Sequence, residues 1–232
     1  MSTTLETVNT GMVRTYYKYD TTKLKEEYFE VNGKIEGNYK EYADELIKEC
    51  HYVNGMRNGE SRDYYSGGQV WCISNYVNDK LEGERKSYYY ENGQLSETRV
   101  YLNGIIHGEL KTYYKGGTLE KTCFYVAGKK EGELREYYEN GQLRRIINYK
   151  NGERDGEVKS FRPDGKLWHI YNYVNGVRSG QYTEYHENGT LAETRNYVNE
   201  NLDGECKKYN LNGALQLIEI YSKDKLVSST SA

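Results

Sequence analysis

A glycine returns every 22 to 25 residues along most of this 232-residue chain, and that recurrence limits the fold more than any other feature. The series is Gly37, Gly59, Gly83, Gly108, Gly132, Gly156, Gly180 and Gly204, in most cases followed by Glu. A second glycine follows about ten residues later, at Gly68, Gly93, Gly117, Gly141, Gly165, Gly189 and Gly213. A tyrosine closes each unit, from Tyr52, Tyr76 and Tyr101 to Tyr125, Tyr149, Tyr173, Tyr197 and Tyr221. Three markers held in register over eight units are the signature of a repeat architecture.

The clearest unit, YVAGKKEGELREYYENGQLRRIIN, starts at Tyr125. Its first strand is expected from Glu133 to Tyr138 and its second from Leu143 to Tyr149. Between them stands Asn140-Gly141, with Gly67-Gly68 and Asp164-Gly165 as counterparts. Such residues tolerate the positive φ of tight hairpin turns. A longer connection is expected from Asn151-Gly152 to Gly156. Asp79 and Glu200 stand where this unit has Gly128, so that connection is read as tolerant of side chains. A reversal about every 12 residues leaves no room for the crossover helix of a parallel sheet. The sequence therefore predicts an all-β, elongated repeat array of antiparallel β-hairpins, a single twisted meander sheet of about eight repeats. At roughly 4.8 Å per strand it would extend on the order of 75 Å.

The ends depart from the pattern. Residues 1–13 are expected to be disordered and residues 14–33 to form a half repeat acting as a cap. The tandem repeats occupy 34–221, and 222–232 is read as a partial repeat with a frayed tail.

Columns within the unit supply the candidate residues. Five residues after the marker glycine comes an aromatic ladder: Tyr64, Tyr88, Tyr113, Tyr137, Phe161, Tyr185 and Tyr209, with Tyr42 before them. It is read mainly as packing. Three residues after the marker a basic column runs through Arg62, Lys86, Lys111, Arg135, Lys159 and Lys207, each with a Glu two residues before it. Alternating signs on one face cancel the field that a polyanion would follow. Trp71 and Trp168 share a column with Ser96, Glu120, Arg144, Ala192 and Gln216. A column that varies so widely is expected to be exposed, and exposed Trp is a frequent interface anchor. These two residues are therefore the expected partner contacts.

These residues resemble the MORN repeat variant family, with the pattern YxNGxxxGExxxYYxNGxLxxxxxY over residues 31–224. The main MORN class has a GEW-like motif and a second glycine two residues after the marker, and this chain has neither. The resemblance implies a β-hairpin array used for protein association. It also implies, in bacteria, antitoxin-type partners of secreted toxins and, in some arrays of the main class, contact with phosphoinositides. It carries over no catalytic residue.

Composition supports that direction. With 27 Tyr but 3 Phe and 2 Trp, the apolar material is spread thinly, and the formal net charge of −3 provides no global basic field for nucleic acid. His51, His107, His169 and His186 fall in different columns, and Cys50, Cys72, Cys123 and Cys206 show no metal-ligand spacing. No catalytic, cofactor or metal site is expected. The reading at this stage is a non-enzymatic protein-protein interaction scaffold, with an antitoxin or immunity protein and a peripheral anionic-lipid-binding array as alternatives. The expected partner is another protein, with no nucleic acid and no integral membrane segment. The absence of a signal-like N-terminus points to the cytoplasm. The preference for Tyr, Asn and Lys matches AT-rich codons, so for a viral source this means the host cytoplasm.

Overall fold

The computed structural model describes residues 9–231, and every regular element among them is a β-strand. The chain divides into two compact units, Met1–Gly108 and Glu109–Ala232. The first contains β1 (Thr10–Tyr17), β2 (Asp20–Val31), β3 (Lys34–Tyr42), β4 (Leu46–Val53), β5 (Met56–Tyr64), β6 (Val70–Val77), β7 (Lys80–Leu81), β8 (Gly83–Tyr88) and β9 (Leu95–Leu102). The boundary falls inside β10 (Ile105–Tyr113). The second unit continues with β11 (Leu119–Val126), β12 (Lys129–Tyr137), β13 (Leu143–Lys150), β14 (Glu153–Phe161), β15 (Leu167–Val174) and β16 (Val177–Arg178). It ends with β17 (Gly180–Tyr185), β18 (Leu191–Val198), β19 (Asn201–Leu202), β20 (Gly204–Tyr209), β21 (Leu215–Ser222) and β22 (Lys225–Ser231). Within each unit consecutive strands pair antiparallel as an open meander, so the all-β hairpin array stands. Among the described residues no helix is long and apolar enough to cross a membrane.

The two kinds of turn exchange the roles that the sequence suggested. The tight one is the Asn-Gly that follows the closing tyrosine. β4 and β5 are joined by two residues, Asn54 at φ 53° and Gly55 at φ 81°. Two successive positive φ values define the type I′ hairpin turn, whose twist matches the strands it joins. Ala127-Gly128, Asn151-Gly152 and Asn175-Gly176 repeat it, and Asp79 (φ 65°) and Glu200 (φ 70°) occupy the second position at some cost in strain. The expected long connection from Asn151 to Gly156 is thus a two-residue turn followed at once by β14.

The turn at Asn140-Gly141 is the wider one. The Gly141 N–H donates to the Tyr138 carbonyl (2.9 Å) and the Tyr138 N–H to the Gln142 carbonyl (2.8 Å). Only Gly141, at φ 83°, is left-handed there. This is a type I turn closed by a glycine bulge, the usual three-residue loop. The same left-handed φ occurs at Gly68, Gly93, Gly117, Gly165, Gly189 and Gly213.

Two irregularities recur in each repeat. At the marker glycine, Ile147 faces Val158 and Tyr149 faces Arg154, so two extra residues bulge out of β14. An even number keeps the faces in phase, because side chains alternate with a period of two. At the start of the second strand, Ser160 faces His169 and Phe161 faces Leu167, which leaves Trp168 as an extra residue.

In each unit the core is mainly one row of residues on one face, running across the strands. In the second unit Leu134 faces Ile147 and Ile147 faces Val158, at 3%, 4% and 1% exposure. In the first unit the equivalent row reads Cys50, Ser61 and Ser74, all buried. The expected disorder over 1–13 is corrected in part. Residues 10–13 lie in β1, where Thr10 faces Val31 and Val13 faces Tyr28, while residues 1–8 lie outside the described residues. The tail is also corrected. β22 pairs with β21 as far as Ser231 facing Leu217, because that hairpin repeats the Asn-Gly turn with Lys223-Asp224 at φ 49° and 66°.

Candidate interaction surface

Successive repeats are fastened at both edges. At the tight-turn edge the Gly152 N–H donates to the Lys130 carbonyl and the Gly176 N–H to the Arg154 carbonyl, each into the preceding repeat. A carboxylate one residue before the marker glycine takes the other turn amide: Glu131 accepts from the Asn151 N–H (2.8 Å) and Asp155 from the Asn175 N–H (3.1 Å). At the wider edge the second residue of the aromatic pair reaches the next repeat. The phenols of Tyr65, Tyr114 and Tyr138 donate to the carbonyls of Tyr88, Tyr137 and Phe161, and Arg162 donates likewise to Tyr185. The ladder residues Tyr88, Tyr137, Phe161 and Tyr185 therefore serve these contacts through their backbone. Tyr64, by contrast, uses its phenol, which donates to Glu49.

The basic column is paired, as its spacing suggested. Arg62–Glu60 (2.6 Å), Lys86–Glu84 (3.0 Å), Lys111–Glu109 (2.8 Å), Arg135–Glu133 (2.6 Å), Lys159–Glu157 (3.0 Å) and Lys207–Glu205 (2.8 Å) all form ion pairs. Each lies on one strand at i and i+2, so the charges cancel along that face.

The opposite face of the second unit is different. Trp168 is 38% exposed, with its ring 4.7 Å from that of His169, and the Arg162 guanidinium lies 5.1 Å from its centre. His169 meets Tyr171 (5.4 Å) and Tyr182 (6.0 Å), and Tyr171 meets Tyr173 (5.8 Å). Residues 169, 171 and 173 alternate along β15 and so share a face. Around them stand Arg154 over Tyr173, Arg178 over Tyr197 and Arg195 over Tyr182. Burial lowers the pKa of His169, with Arg145 and Arg162 adding to the effect and Glu184 opposing it. Burial and the bond to Glu184 hold the Tyr182 phenol well above its usual range. The result is a semi-buried aromatic surface rimmed by guanidinium groups.

Trp71, 44% exposed, occupies the matching bulge in the first unit, with its ring 6.3 Å from that of Tyr65. The bulge explains why this column varies. Its residue has no partner in the ladder register, so no facing residue fixes its identity, although in Trp168 the indole N–H reaches Glu184 (3.3 Å).

Sequence reasoning overlooked a further row. The residue just before five of the tight turns is aliphatic and exposed: Val77 and Leu102 in the first unit, Val126, Val174 and Val198 in the second. The signal was present as the Val of the YVNG segments. The four cysteines are free and buried, and burial raises the thiol pKa of Cys50 and Cys206. Among the described residues no group of His, Cys, Asp and Glu is placed to hold a metal ion.

The model of the MORN repeat variant matches residues 57–78, 81–103, 106–127, 130–151, 154–175 and 178–199. Each match ends on a tight turn and contains one wider turn. No curated protein matches. Among solved structures the chain is similar to the crystal structure of TcdB2-TccC3-Cdc42, at 13% identity over 92% of this chain, with a TM-score of 0.19. It is also similar to that of TcdB2-TccC3-TEV, at 14% identity over 90%, with a TM-score of 0.21. The chain spans 17% and 13% of those chains.

Proposed function

The chain belongs to the MORN repeat variant family, whose repeat its hairpins follow, and from that premise we propose that it is a non-enzymatic scaffold that binds another protein. The observation that carries this reading is the surface around Trp168. It joins a partly exposed indole, the clustered rings of His169, Tyr171 and Tyr182 and several guanidinium groups on an open sheet face. Trp, Tyr and Arg are the residues that dominate binding energy at protein interfaces. Their rings bury area at little cost in conformational entropy. Trp71 is the proposed counterpart contact in the first unit. On the other face the cation column is matched acid for acid, so attraction there to nucleic acid or anionic lipid is screened within a Debye length of about 8 Å. The proposed setting is the cytoplasm.

The test is a pull-down from the native host with the full chain and with W71S and W168S. The reading expects a protein recovered by the wild type, and at least a tenfold loss for one of the variants at unchanged circular dichroism. Retention on anionic vesicles at 150 mM salt, without any protein partner, would refute it.

A further inference from the structure

We propose that Lys130, Arg154 and Arg178 form a docking row for an extended acidic segment of the partner protein. The proposal rests on the scaffold reading above and gives the partner its chemistry.

The three residues hold the same place in successive repeats, two before the marker glycine, on β12, β14 and β16. Cross-strand pairing sets Arg154 opposite Tyr149 and Arg178 opposite Tyr173. Each cation also lies over the closing tyrosine of its own hairpin. The Lys130 ammonium is 4.7 Å from the Tyr149 ring centre, the Arg154 guanidinium 5.3 Å from that of Tyr173, and the Arg178 guanidinium 4.8 Å from that of Tyr197. Cations and rings thus alternate along one face. The cations are two strands apart, about 10 Å.

Among the described residues none of the three has an ion-pair partner, and the reason is visible in the sequence. In the first unit the equivalent Arg57 is neutralised by Asp79, the second residue of the next tight turn, at 3.0 Å. For Lys130 and Arg154 that turn position is Gly152 and Gly176, which carry no side chain. For Arg178 it is Glu200, whose carboxylate accepts from the Arg178 backbone N–H (2.6 Å). The acids next in sequence, Glu131 and Asp155, are engaged by turn amides. The Lys130 ammonium and the Arg154 guanidinium thus meet no turn carboxylate, the Arg178 guanidinium makes no ion pair with Glu200, and the three groups can take an outside anion.

The spacing selects the anion. Carboxylates three residues apart on a polyproline II chain, with three residues per turn and a rise of about 3.1 Å per residue, share one face and are separated by about 9 Å. A single-stranded nucleic acid also needs free ring faces for its bases, and here one face of each of Tyr149, Tyr173 and Tyr197 is already taken by a cation. A peptide in the polyproline II conformation with Glu or Asp at every third position matches both constraints. Bidentate guanidinium–carboxylate pairing favours Arg at two of the three sites.

The test uses the full chain and a labelled thirteen-residue peptide of Ser with Glu at every third position. A Gln-for-Glu sister peptide and an oligothymidylate serve as competing probes. The acidic peptide is expected to bind, and the Gln peptide to bind at least tenfold more weakly. R154Q/R178Q should weaken the acidic peptide at least tenfold, R154K/R178K should retain most of the affinity, and K159Q/K207Q on the paired column should leave it unchanged. Equal binding of the Glu and Gln peptides, or equal loss in K159Q/K207Q, would overturn the proposal. Tighter binding of the oligothymidylate, lost in R154Q/R178Q, would replace the peptide with nucleic acid. If the host partner is recovered equally by wild type and R154Q/R178Q, the row is refuted while the scaffold reading stands.

Discussion

The phenol of Tyr138 donates to the backbone carbonyl of Phe161 at 2.8 Å, joining residues 23 apart in sequence. It fastens one repeat to the next at the wider edge. Tyr114 does the same for Tyr137, and His186 lies 3.0 Å from the Tyr209 carbonyl through its Nε2. The position thus selects reach and a polar tip instead of a particular ring. Tyr138→Phe keeps the ring and leaves the half-buried carbonyl without this donor. It is expected to cost about 1 kcal/mol, read as a lower denaturation midpoint. An unchanged midpoint would show that water replaces the phenol without loss.

The tight turns give a second expectation. Gly141 (φ 83°) and Gly128 (φ 82°) share one backbone conformation although they belong to different turns. Substituting Ala at either should therefore cost a similar amount, about 1 kcal/mol. Ala127 (φ 47°) stands where Asn32, Asn54, Asn78, Asn103, Asn151, Asn175 and Asn199 stand in other turns. Asn tolerates this region better than Ala, so Ala127→Asn should raise the melting temperature by about 1–3 °C in a chain of this size. A lower melting temperature for that variant would count against the type I′ assignment.

The paired column should matter little for stability. Both ends of Arg135–Glu133 are about half exposed, at 50% and 46%. Arg135→Gln is expected to change the unfolding free energy by less than about 0.5 kcal/mol. A larger loss would mean that the six pairs act as a connected network.

His169 predicts a pH dependence. Its folded pKa is lowered, chiefly by burial, so the unfolded chain binds its proton more readily. Stability then rises with pH wherever the unfolded state holds more protons. The contribution is intact above the unfolded value of about 6.5 and is lost as pH falls below it. Denaturation midpoints at pH 7.5 and 5.5 should differ in that sense, and His169→Gln should reduce the difference. An unchanged difference in the variant would assign the slope to the carboxylates.

Much of this was legible in the chain, and what was not has a physical cause. The period, the hairpins and the Glu–Lys pairs follow from columns of one residue type, such as Glu133 with Arg135. The core row was missed because Cys50, Ser74, Ile147 and Tyr171 share a column without sharing a chemistry. The turns were exchanged because Asn-Gly serves both, and only φ distinguishes Asn54, which is left-handed, from Asn140, which is not among the positive-φ residues. The cation row escaped notice because Arg57, Leu81 and Lys130 do not look like one position. It becomes a row only where no carboxylate of the next tight turn forms an ion pair with the cation, as Asp79 does with Arg57.

The wider turn also absorbs every change in repeat length. Between the last residue of the first strand and the first of the second, Tyr137 is followed six positions later by Leu143. Tyr88 is followed seven later by Leu95, and Tyr42 four later by Leu46, yet each pair faces across the ladder. The tight turns keep two residues throughout, and within each unit they are bonded to the preceding repeat, as Gly104 is to Leu81 and Gly152 to Lys130. Within each unit one edge is thus a fixed spine and the other an open margin. Foreign loops grafted between Glu139 and Asn140 would leave the reading frame of every strand intact, whereas the same graft between Asn151 and Gly152 would sever the spine.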